Sequence, residues 1–156
     1  RNLTIVDGVL TNWYGSEKHL VLPAEIIKEI GTAFRWKPSL ESVEIPEGIT
    51  SIHANAFHGS SKIKRIVIPA TVREIGSEAF TGCEIKEITI PKSVTGMGSR
   101  VFMDCKELMS VTFENANTVL DNDCFKGCHK DLTIKAPDRG TVQEYAAKNQ
   151  IRFEAI

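Results

Sequence analysis

Apolar residues along this chain recur in columns spaced 22 or 23 residues apart. Leu40, Ile63, Ile85 and Leu108 form one column, and Val43, Ile66, Ile88 and Val111 a second. Ile45, Ile68, Ile90 and Phe113 form a third, followed by Ile49, Val72 and Val94, then by Ile52, Ile75, Met97 and Leu120. Prolines 23, 46, 69 and 91 keep the same beat, as do Phe34, Phe57, Phe80, Phe102 and Phe125. Each of the first four Phe lies eleven residues after its Pro, and Glu114 holds the proline slot of the fifth unit. Self-similarity at such a period marks a stacked-repeat solenoid, because one unit of this size cannot bury its own apolar face.

The residues within a unit assign its parts. Residues 40–45 end in strict apolar–polar alternation, as in a strand with one buried face. Pro46 removes a ladder donor and ends that strand. A second short apolar piece, residues 49–52, runs into a slot held by Gly31, Gly76 and Gly98, with His53 and Asp121 in the other units. Those residue types predict a tight bend with positive φ. The Ala-Phe pairs that follow (33–34, 56–57, 79–80) place a small residue beside a plug between coils. About five coils are expected over residues 23–131. In the first, Ile27 and Ile30 fall one residue late after Pro23.

The ends depart from the repeat, as solenoid ends must to cover the core. Residues 1–22 read as a hairpin-like cap around an Asp7-Gly8 turn. Residues 132–156 read as a closing cap. It contains a strand at Leu132-Thr133-Ile134, a capping box opening a short helix at Thr141-Val142-Gln143-Glu144, and a lid at Ile151-Arg152-Phe153. Val142, Tyr145 and Ala146 share the face of that helix expected to lie over the last coil.

Charge narrows the function classes. Nineteen basic residues face twenty acidic ones, for a net charge of −1. That balance gives no general electrostatic pull toward nucleic acid or an anionic membrane, both of which need a clustered basic face. With 42% hydrophobic and 25% charged residues the chain is expected to fold as one domain. No apolar run approaches the roughly 20 residues that span a bilayer, so no membrane insertion is expected. The start at Arg1, with no initiator Met or leader, reads as that of a mature or trimmed chain.

The residues that could carry chemistry fall into the repeat register. Cys83, Cys105 and Cys128 each sit three residues after the repeat Phe, where Ser60 and Lys37 stand in earlier units; Cys124 fills the small-residue slot. No close Cys pair suits zinc, so the thiols read as buried packing groups, with an inter-coil disulfide as the other reading. His19, His53, His58 and His129 are scattered over different slots and read as solvent-facing. Gly96-Met97-Gly98 lacks the Lys of a phosphate loop. No carboxylate falls in an apolar column that would tune it for acid–base work. The reading is of no catalytic residue, no metal and no cofactor.

Units such as residues 66–83, with Ile68-Pro69, Ile75-Gly76, Ala79-Phe80 and Gly82-Cys83 at fixed offsets, resemble the BspA-type leucine-rich repeats of bacterial surface proteins. The resemblance covers roughly residues 20–137, with departures at Glu114 and through residues 115–119. It implies an α/β solenoid, a right-handed leucine-rich-repeat array with a curved parallel sheet. It also implies a secreted or cell-surface setting and adhesion-type binding to a protein or glycan.

What the residues themselves offer is a surface. Outward strand positions align as Val21, Glu44, Val67, Thr89, Thr112 and Thr133, beside His19, Ser42, Arg65, Glu87, Ser110 and Asp131. Glu44, Arg65, Val67, Glu87, Thr89 and Thr112 form the candidate protein-binding face, since solenoids bind through such platforms. Trp13, Tyr14, Trp36 and Met109 lie off the buried columns and are types enriched at interfaces, though Trp13 and Tyr14 also suit packing of the first cap. The expected module is non-catalytic and monomeric. The competing reading is a structural spacer within a larger surface protein.

Overall fold

A computed structural model describes residues 2–156. The first pieces of the coils form strands β3 (His19–Val21), β5 (Ser42–Glu44), β7 (Arg65–Val67), β9 (Glu87–Ile90), β11 (Ser110–Phe113) and β13 (Thr133–Ala136). All their pairings are parallel and in register, and β14 (Arg152–Ala155) continues them beyond β13. The second pieces form a further parallel sheet of two-residue strands: β4 (Glu29–Ile30), β6 (Ser51–Ile52), β8 (Glu74–Ile75), β10 (Gly96–Met97) and β12 (Val119–Leu120). The result is a solenoid of about six turns, one more than the sequence suggests, because the closing segment goes on stacking.

The first end is the expected hairpin, β1 (Leu3–Val6) and β2 (Val9–Trp13), with positive φ at both Asp7 and Gly8. Both angles suit the tight turn that matches strand twist. β2 pairs in parallel with β4, so the hairpin extends the second sheet and leaves the strand face alone. The late residues of the first coil cost no register. Glu25 takes φ 78°, Ile26 is turned out, and Ile27 and Ile30 reach the core.

Between the sheets the phenylalanines stack. Phe34, Phe57, Phe80 and Phe102 are fully buried, and from Phe34 to Phe125 successive ring centroids lie 5.3–5.7 Å apart with planes within 14°. Trp13 begins the column against Phe34 at 5.8 Å, and Tyr145 ends it edge-on to Phe125 at 6.2 Å. Trp13 is therefore cap packing, at 1% exposure, whereas Tyr14 is 69% exposed.

Several local expectations are corrected. The Gly31, Gly76 and Gly98 slot does not have positive φ. At Gly76 glycine is needed because the neighbouring coil approaches closely: a Cβ would lie 2.3 Å from the Ala54 amide nitrogen. The left-handed residues that recur from coil to coil are Asn55, Glu78, Arg100 and Asp123, just before the small residue, and Trp36, Gly59, Gly82, Asp104 and Gly127, two after the Phe. The capping box also fails. Gly140 is the N-cap of helix α1 (Thr141–Lys148), and its site excludes any Cβ, which would lie 2.1 Å from the Ala116 carbonyl oxygen. Thr141 instead donates its hydroxyl to the Thr118 carbonyl (2.9 Å). Val142 and Ala146 are buried as expected, and Tyr145 is half-buried with its hydroxyl accepting from the Cys124 amide.

The fifth coil keeps its place in spite of Glu114. Without proline the strand gains a donor, and the Glu114 amide bonds the Ile90 carbonyl (3.0 Å). The apolar position that follows falls one residue late, at Thr118, which occupies a core position and donates its hydroxyl to the Val94 carbonyl (2.8 Å). A buried hydroxyl is tolerated once bonded.

The cysteines are free, and they do more than fill space. Cys83, Cys105 and Cys128 donate their thiols to the carbonyls of Phe57, Phe80 and Phe102 one coil back, as the Ser60 hydroxyl does to Phe34. Burial pushes Cys83 well above its usual pKa, Cys105 and Cys128 up to about 12, and Cys124 to about 11.

Two outcomes follow for stability. Phe80→Ala should cost ~3–5 kcal/mol in denaturant melts, since Phe80 has a stacked ring on either side; a loss under ~1 kcal/mol would contradict the column. For the thiols, the unfolded chain ionises from about pH 9, whereas the folded chain holds the neutral form to pH 11 or 12. Stability present below pH ~9 should therefore fall as pH rises toward ~12, and fall less steeply in Cys105→Ala. At neutral pH Cys83, Cys105 and Cys124 should resist alkylation until the protein unfolds.

Candidate functional site

Alternation along each strand sends every second side chain outward, so the strand face is a set of side-chain rows crossing the coils. Register fixes the rows. Val21, Glu44 and Val67 align, as do His19, Ser42 and Arg65. Beyond them Thr89 pairs with Thr112 and Glu87 with Ser110. The far end of the expected rows is corrected by two residues. Ser110 pairs with Thr133 and Thr112 with Lys135, so Asp131 lies outside the sheet and Lys135 joins the face. The rows then run on to Arg152 and Glu154.

The strand sheet is not continuous. β3, β5 and β7 form one sheet, and β9, β11, β13 and β14 another. The break coincides with a shortened turn: one residue separates Cys83 from Ile85, where two separate Ser60 from Ile63 and Cys105 from Leu108. At this seam the Glu84 amide still bonds the Ile63 carbonyl (2.9 Å), and Lys64 faces Glu84 at 3.9 Å. An open concavity of about 850 Å³ lies over the seam. Arg65, Val67, Glu87, Thr89 and Thr112 line it, while Glu44 lies in the adjoining hollow that also contains Arg65 and Val67.

The concavity carries both signs of charge. Lys64, Arg65, Lys86 and Lys135 line it together with Glu84, Glu87 and Glu107 and an exposed Val67. Exposed pairs of this kind add little stability, so their charge is free to select a partner. The rows were legible in the sequence, but the concavity was missed. The 22-residue step at Cys83-Glu84-Ile85 was the signal that could have located it.

Other singled-out residues go elsewhere. Trp36 is 60% exposed on the turn side, and Met109 is exposed just before β11. The histidines are not all plain solvent-facing groups. His53 bonds Glu29 at 2.5 Å, and half-buried His58 contacts Asn55 (3.2 Å), Glu78 (3.5 Å) and the Trp36 ring. Gly96 and Met97 form β10, part of the repeat. Among the described residues no group of three or more His, Cys, Asp or Glu converges as a metal site, and no helix is long and apolar enough to cross a membrane.

Comparison with known proteins agrees with this architecture. A leucine rich repeat protein from T. pallidum is similar at 27% identity and a TM-score of 0.77, over 85% of this chain and 67% of its own. A leucine-rich repeat protein from Bacteroides ovatus shares 28% identity at a TM-score of 0.69, over 86% of this chain and 38% of its own. A leucine rich cell surface protein from Faecalibacterium prausnitzii is 22% identical at a TM-score of 0.58, over 87% of this chain and 48% of its own, and at that identity shows the fold alone. This chain thus spans about four tenths to two thirds of the length of these structures. No curated protein matches it. Residues 28–153 match the BspA type leucine rich repeat region in six copies, and the chain belongs to that family.

Proposed function

We propose that this chain is a non-catalytic interaction module of a bacterial surface protein, binding a partner protein through the strand face over the seam. The observation that carries the reading is the concavity itself. It joins an exposed apolar residue, Val67, to charges of both signs on a stack of coils. Affinity concentrates in a few central residues ringed by polar ones, and charges of both signs select an orientation. Membership of the repeat family supports protein binding in general, and the resemblance of its units to those of bacterial surface proteins supports display outside the cell. A spacer reading is favoured by one fact, that relatives run well beyond the length matched here.

The test is capture of proteins from extracellular matrix and host-cell surfaces by the folded chain. Changing Arg65→Asp and Val67→Lys together should weaken capture by about 30-fold or more, the equivalent of roughly 2 kcal/mol for a central Arg. Changing Arg73→Asp and Glu47→Lys, exposed beyond the prolines, should leave capture intact. Equal losses in both variants, or no loss at the strand face, would reject this site. A folded chain that captures nothing would favour the spacer.

A further inference from the structure

Two residues after each phenylalanine the chain takes a left-handed turn. Gly59, Gly82 and Gly127 supply it at φ 76–78°, and Asp104 at 59°. Trp36 stands in the same slot of the first coil with φ 55°. A bulky residue is a backbone outlier there. Burial does not compensate, because Trp36 remains 60% exposed. Strain retained without burial is the kind of feature that points to function.

The ring is firmly seated. Its amide enters the inter-coil ladder at the His58 carbonyl (2.9 Å), and the next amide, of Lys37, bonds the Ser60 hydroxyl (2.8 Å). The indole lies back across Gly59, so close that a Cβ there would fall 2.2 Å from its Cε3. Its centroid is 5.1 Å from that of the His58 ring. Asn55 Oδ1 and Glu78 Oε1 both face His58 Nδ1, at 3.2 and 3.5 Å, which places the proton on Nδ1 and fixes the imidazole.

We propose that Trp36, backed by Gly59 and edged by His58, which Asn55 and Glu78 hold in place, is a carbohydrate-binding subsite on the turn side, separate from the strand face. The reclining ring cannot project into a pocket on a partner protein as an anchoring side chain does. It offers one flat face. The negative face of an indole attracts the weakly positive C–H edge of another group, and the C–H face of a pyranose fits that requirement while its hydroxyls meet the polar groups beside the ring.

The chain contains two indole N–H groups, of Trp13 and Trp36, which can be followed separately by nuclear magnetic resonance. Cellotriose, maltotriose and chitotriose are the probes, each titrated to about 10 mM, where a site of millimolar Kd is mostly filled. At least one should shift the Trp36 indole and the Gly59 amide saturably and leave buried Trp13 unmoved. Trp36→Gly should lose that binding while its melting temperature stays level or rises, and Trp36→Phe should bind more weakly. Arg65→Asp with Val67→Lys should leave the shifts unchanged. No movement of the Trp36 indole with any of the three sugars, or binding that persists in Trp36→Gly, would overturn the proposal. So would loss of protein capture in Trp36→Gly, which would make the ring a protein contact.

Discussion

The aromatic column from Trp13 through five phenylalanines to Tyr145 is the contact on which the other features depend. No coil can bury its own phenylalanine. Each ring is covered by the rings before and after it, and each such pair contributes about 0.5–1.5 kcal/mol beyond the area it buries. Stacking the rings at 5.3–5.7 Å demands that the coils keep register, and register aligns both sheets. It also brings each Ser or Cys beneath the preceding Phe carbonyl. The column needs a cover at each end, and the two different caps supply one with an aromatic side chain apiece.

That constraint leaves the outside of the coil free. A turn can lose a residue, as between Cys83 and Ile85, provided the next phenylalanine still reaches the column. The adjustment then falls on the strand face, where the sheet opens and the concavity forms. An apolar position displaced within a unit is handled in the same way, by turning Ile26 outward or by burying Thr118 with its hydroxyl bonded. Variation of surface on an unvarying core is what a binding scaffold requires.

Much of this was legible in the sequence because it rests on apolar periodicity. The columns, the buried phenylalanines, the Asp7-Gly8 hairpin and the placement of Val142 and Ala146 needed only residue type and spacing. Three features did not follow from spacing. Gly76 is required by a backbone in the neighbouring coil, and its own sequence offers only a bend. Thr141 reads as a cap, but Gly140 is the one residue that fits against Ala116. The thiols read as apolar packing, yet their bonds run to carbonyls 25 or 26 residues away. Each of these depends on a contact between coils, which no single unit displays.

The claim that every coil is held by its neighbours is tested most directly by native-state hydrogen exchange across the array. The Phe57, Phe80 and Phe102 amides bond carbonyls in the next coil, so they should exchange only when the whole domain unfolds. Amides of β1 at one end and β14 at the other should exchange sooner, through local fraying. Exchange at Phe80 as fast as at either end would mean that the inner coils open independently, and would contradict a column that holds the solenoid together.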